Sequence, residues 1–108
     1  MTFFQNLYLG ENISPKFEQV MKKLNNGKPV MDLYLITISE HPDNMLEIIP
    51  QRELLQKCYP KYEQKVVGLA KGKKEALSVV KTIVSETYKT TGSADVRAYL
   101  LLRWEEQA

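Results

Sequence analysis

The sequence predicts an α+β fold: a two-layer α/β sandwich with a small three- or four-stranded sheet built on a βαβ unit. Three observations carry this. Val66-Val67-Gly68-Leu69-Ala70 is a short apolar run rich in β-branched residues and reads as a buried strand. After the turn Lys71-Gly72-Lys73-Lys74, the residues Ala76, Leu77, Val80, Ile83, Val84, Thr87 and Tyr88 recur at helical spacing as one apolar stripe. Leu33, Tyr34, Leu35, Ile36 and Ile38 are nearly continuous, as in a central strand covered on both faces. A ferredoxin-like βαββαβ sandwich, with its third strand antiparallel to the first two, is the alternative arrangement.

In chain order, a short strand is expected at Gln5 to Leu9, with Phe3 and Phe4 within or just before it. Gly10-Glu11-Asn12 forms a loop. Ser14-Pro15 reads as a hydroxyl cap followed by a first-turn proline. Phe17, Val20, Met21 and Leu24 follow at i, i+3, i+4 and i+7, and Asn26-Gly27 ends that helix. Lys22 and Lys23 fall in its last turn, where the helix dipole favours cations. The second strand spans Val30 to Ser39, and the resulting strand–helix–strand unit calls for a right-handed parallel crossover. Glu40-His41-Pro42-Asp43-Asn44 is a turn cluster. Met45 to Ile49 is extended or irregular, and Pro50 opens a short helix to about Tyr59 with Leu54 and Leu55 facing inward. Pro60 ends it.

The long helix beginning at Lys73 stops at Gly92, a residue free to adopt the left-handed terminal conformation. Ser93 to Trp104 fits both an amphipathic strand and a helix. The helix is preferred because Ser93 or Asp95 can cap it and Val96, Tyr99 and Leu100 share a face. No repeat, linker or composition shift divides residues 1–108, which are taken as one domain.

Composition narrows the function. Apolar residues make up 44% and charged residues 26%, ordinary for a globular protein. A net charge of +2 does not by itself call for nucleic acid or an anionic membrane. Cys58 is the sole cysteine, which excludes an internal disulfide. No apolar run approaches the ~20 residues that cross a bilayer, and the start of the chain has no signal-peptide pattern. A cytoplasmic setting is expected, without cofactor, metal or membrane.

Gly68-Leu69-Ala70-Lys71-Gly72-Lys73-Lys74 resembles a phosphate-binding loop superficially. Its glycines are one residue too close, and Lys74 stands where a magnesium-binding Ser or Thr is required, so nucleoside-triphosphatase chemistry is excluded. Lys71, Gly72, Lys73 and Lys74, with Glu11 and His41 from neighbouring loops, remain a candidate ligand site. An all-parallel sheet would gather all six at the carboxyl edge of its strands. The simpler reading, solvated lysines, is favoured. His41 offers no oriented base, Cys58 has no partner nucleophile or base in sequence, and no ligand spacing for a metal exists. Lysines interleaved with Tyr59 and Tyr62 admit single-stranded nucleic acid, but Glu63 and Glu75 interrupt them and a solvated face is again preferred. Leu101 and Trp104 form a candidate interface, because Leu100-Leu101-Leu102 is more apolar than one face of a terminal element needs.

Leu46-Glu47-Ile48-Ile49-Pro50, Val66-Val67-Gly68-Leu69-Ala70 and the helix from Lys73 resemble short uncharacterised bacterial proteins of this length. The resemblance implies a small cytoplasmic protein of unassigned activity and assigns no residue a role. The functional expectation is a non-enzymatic interaction or regulatory module, as a homo-oligomer or with a protein partner. A domain binding an anion, nucleotide or nucleic acid through Lys71–Lys74 is the alternative.

Overall fold

The structure, a computed structural model, describes residues 2–39, 46–55 and 64–107. It is an α+β fold around one four-stranded sheet. The strands are β1 (Thr2–Leu9), β2 (Leu33–Ile38), β3 (Leu46–Pro50) and β4 (Lys65–Lys71), in spatial order β1-β4-β2-β3. The helices are α1 (Phe17–Asn25), α2 (Gln51–Leu54), α3 (Lys73–Thr91) and α4 (Val96–Gln107), with a 3-10 turn at Ser14–Lys16. His41, Cys58 and the last four residues of the helix predicted to reach Tyr59 lie outside the described residues.

The parallel pair is β1 with β4, whereas the expected crossover would pair β1 with β2. β2 runs antiparallel to β4, and β3 antiparallel to β2. The nine-residue α1 spans about 13 Å, and the chain leaves β1 and enters β2 at the same end of the sheet. Val30 to Asp32 forms a turn, Asp32 takes a positive φ of 56°, and β2 starts at Leu33 instead of Val30.

Both faces of the central strands are filled, as the unbroken apolar run of β2 requires. Ile36 and Ile38 pack with Val67 and Ala70 beneath Ala76, Val79 and Ile83 of α3 and Val96 and Leu100 of α4. Leu33 and Leu35 face the other way with Val66 and Leu69, and meet Ile13 and the α1 residues Val20 and Leu24. The register shift between Ile36 and Thr37 marks a bulge in the β2–β4 pairing. Val66, Val67, Leu69 and Ala70 are fully buried, as expected of the innermost strand.

Several local expectations change. Ser14 makes no capping side-chain bond, and α1 begins at Phe17 after the 3-10 turn. Leu55 points outward, while Leu54 packs on the α1 side of the sheet. The segment after Gly92 is helical, with Asp95 Oδ1 accepting from the Ala98 N–H at 3.1 Å as an N-cap.

The largest change concerns α3. Its buried line is Ala76, Val79, Ile83 and Thr87. Leu77, Val84 and Tyr88, expected to face the sheet, are 48%, 40% and 64% exposed. The apolar arc is wider than the sheet can cover, and one margin of it is left in water.

Candidate functional site

Because β1 and β4 are parallel neighbours, the chain leaves both at one edge of the sheet. The Gly10 N–H donates to the Leu69 carbonyl at 2.9 Å, which sets the β1 exit beside the β4 exit. Gly72, with φ 85°, then turns the chain into α3. Glu75, third residue of α3, fastens the two exits together. Its Oε2 accepts the Lys71 N–H at 2.5 Å, and its Oε1 accepts the Asn12 N–H at 3.0 Å and Asn12 Nδ2 at 2.8 Å. A carboxylate in a helix first turn that reaches back to preceding N–H groups follows capping-box logic. A Cβ on Gly10 would stand 2.3 Å from Glu75 Oε2, so only glycine lets the loop lie under that carboxylate.

A cleft of about 520 Å³ opens over this junction, lined by Glu11, Lys71, Lys74, Ser78 and Thr82 among others. A hollow of about 210 Å³ adjoins it through Asn12 and Lys71 and adds Lys16 and Lys23. Of the sequence-predicted ligand residues, the fold thus gathers Glu11, Lys71 and Lys74, with Gly72 at the turn beneath them. Lys73 is exposed but lines neither hollow. β2 runs the opposite way and delivers the chain at Ser39 to the far edge. His41 lies outside the described residues. Glu75, Asn12 and Gly10 are the residues that sequence reasoning did not assign to the site.

The lining of the cleft is of mixed charge, with Lys71 and Lys74 beside two carboxylates. The Lys71 N–H is held by Glu75 and the Gly72 N–H by the Asp32 carbonyl at 2.8 Å, so neither of these two is open to a phosphate. Glu11 and Glu75 add negative charge to the same walls. Among the described residues, no group of three His, Cys, Asp or Glu side chains could hold a metal, and no helix is long and apolar enough to cross a membrane.

A second polar cluster joins β1, α3 and α4. Glu86 Oε2 accepts from the Tyr8 hydroxyl, from Tyr99 Oη at 3.2 Å and from Arg103 Nη1 at 3.1 Å. Arg103 also donates to Tyr8 Oη at 2.8 Å and lies over the Phe4 and Tyr99 rings. Burial, with Glu86 alongside, pushes the Tyr8 phenol far above its ordinary value. Every charge here has a partner within the molecule, so the cluster clamps α4 in place. Leu101 and Trp104 belong to the same arrangement: both are half-buried against the core, and Trp104 stacks on Phe4 at 5.6 Å.

The outer flank of α3 differs from both. Leu77, Val84 and Tyr88 stand one above another, since i, i+7 and i+11 fall on one line of a helix. Val80, between that row and the buried line, is half-buried against the core. No protein-family model, curated protein or solved structure matches the chain.

Proposed function

We propose that this chain is a non-enzymatic interaction module that holds a protein partner against the outer flank of α3. One observation carries the reading: three large apolar side chains, Leu77, Val84 and Tyr88, align in water on a helix whose other face already fills the core. Aligned exposed apolar groups mark interaction surfaces in a way that scattered ones do not. Leu101 and Trp104, the interface expected from the sequence, are half-buried against the core and offer a partner less open surface than this row. A cytoplasmic setting suits the reading, with Cys58 the sole cysteine.

A photo-crosslinking residue placed at Tyr88, compared with one at Thr82 on the cleft side of α3, tests it in cells. The reading expects a discrete adduct from position 88, whether with a second copy or another protein, and none from 82. Adducts from 82 alone, or none at either position, would remove it.

The parallel β1–β4 pair favours a second reading, capture of a small phosphorylated molecule by Lys71 and Lys74 with Lys16 and Lys23 nearby. Titration with inorganic phosphate, nucleotides and single-stranded nucleic acid at low salt tests it, using wild type and Lys71→Glu/Lys74→Glu. Absence of binding at low salt eliminates this reading.

A further inference from the structure

Resting on the α3 reading above, we propose that the partner is an amphipathic protein segment carrying acidic residues, rather than a second copy of this chain. The inference comes from how charge is distributed around α3. Its two carboxylates are both turned away from the exposed stripe and engaged: Glu75 holds the backbone of Lys71 and Asn12, and Glu86 holds Tyr8, Tyr99 and Arg103. Lys73, Lys74 and Lys81 are exposed, and none has a carboxylate partner among the described residues.

Their spacing puts these lysines along the stripe. Lys73 and Lys74 precede Leu77 by four and three residues, and Lys81 precedes Val84 by three, so each cation neighbours an apolar anchor on the helix surface. The row from Leu77 to Tyr88 covers roughly 16 Å, about three turns of a docked helix. The charges of α3 that edge this apolar row are cations, which complements a segment with apolar anchors and acidic flanks. Self-association through the same row is disfavoured. A two-fold pairing near its middle brings Lys81 toward its own copy, like against like, with no acid of α3 free to intervene.

The test uses the full chain and a designed, dye-labelled helical peptide with leucines at i, i+4 and i+7 flanked by glutamates. A matched peptide with lysines for glutamates, and an oligothymidylate, serve as comparisons. Circular dichroism of each variant establishes that it is folded. Saturable binding of the acidic peptide by fluorescence anisotropy is expected, weakened by roughly tenfold or more in Val84→Glu. A loss of several-fold is expected in Lys81→Glu and on raising salt, and the lysine peptide should not bind. Equal binding of both peptides, an unaffected Lys81→Glu, or tighter binding of the oligonucleotide overturns the proposal. If neither peptide binds but sedimentation shows a dimer that Val84→Glu dissociates, the acidic partner is wrong while the docking face stands. If peptide binding, dimer and crosslinks at position 88 are all absent, both fall.

Discussion

Glu75 shows how one side chain can hold a junction that sequence spacing conceals. Its carboxylate accepts three hydrogen bonds from two segments that meet only because β1 and β4 are neighbours. Glu75→Ala is expected to cost about 1–3 kcal/mol in chemical denaturation, the range for charge-assisted bonds left unmade. Gly10→Ala should also destabilise, because the new Cβ displaces that carboxylate, and its cost should largely vanish in a Glu75→Ala background. Additive losses in the double mutant would show that the two residues act separately. Glu75 was legible as an acid in a helix first turn, but its reach to Asn12 depends on a strand pairing invisible in local sequence.

Tyr8 supplies a prediction of opposite electrostatic character. Burial, then the bond to Glu86, raises its folded-state pKa above the unfolded phenol value of 10.0. Folding therefore favours the protonated phenol, so this stabilisation is complete below about pH 10 and is lost as pH rises beyond it. Denaturation midpoints of wild type should fall above pH 10 more steeply than those of Tyr8→Phe. Parallel alkaline limbs would contradict the shift.

At the scale of elements, α3 was the most legible segment and also the most misread in detail. Its start at the glycine-lysine turn and its end at Gly92, with φ 71°, follow the predicted punctuation. The facing of its side chains did not follow, because an arc of seven apolar residues spans more than the sheet below can cover. Periodicity locates an apolar arc but does not say which of its margins a neighbouring strand will reach. α4 was ambiguous for a related reason: its alternation fits a strand, and the Asp95 cap together with burial of Val96 and Leu100 decides for helix. Since Trp104 stacks on Phe4 and Leu101 packs inward, Trp104→Ala should lower stability by roughly 2 kcal/mol, less than for a fully buried ring. A change in oligomeric state at unchanged stability would return Trp104 to the interface.

For the whole molecule, the innermost strand and the α+β class were written in composition and period, while strand order was not. Local pattern does not say at which end of the sheet β2 begins; the pairings place its start at the end where β1 stops. That reversal puts Ser39 at the end of the sheet opposite the lysine turn and leaves Glu11, Lys71 and Lys74 as the gathered set. It also makes β4 the interior partner of both β1 and β2, with α3 laid over it. The outer flank of α3 then stands clear of the core, and the functional reading depends on that orientation.

Adjacent residues on α3 test it most directly. Ile83 is fully buried under the sheet-facing side and Val84 stands in the exposed row. Paired denaturation of Ile83→Glu and Val84→Glu should show the first unfolded or weakened by more than about 4 kcal/mol, as for a buried unpaired charge. The second should remain within about 0.5 kcal/mol of wild type, as for a surface change. Comparable losses in both variants, or a greater loss at Val84, would contradict the account.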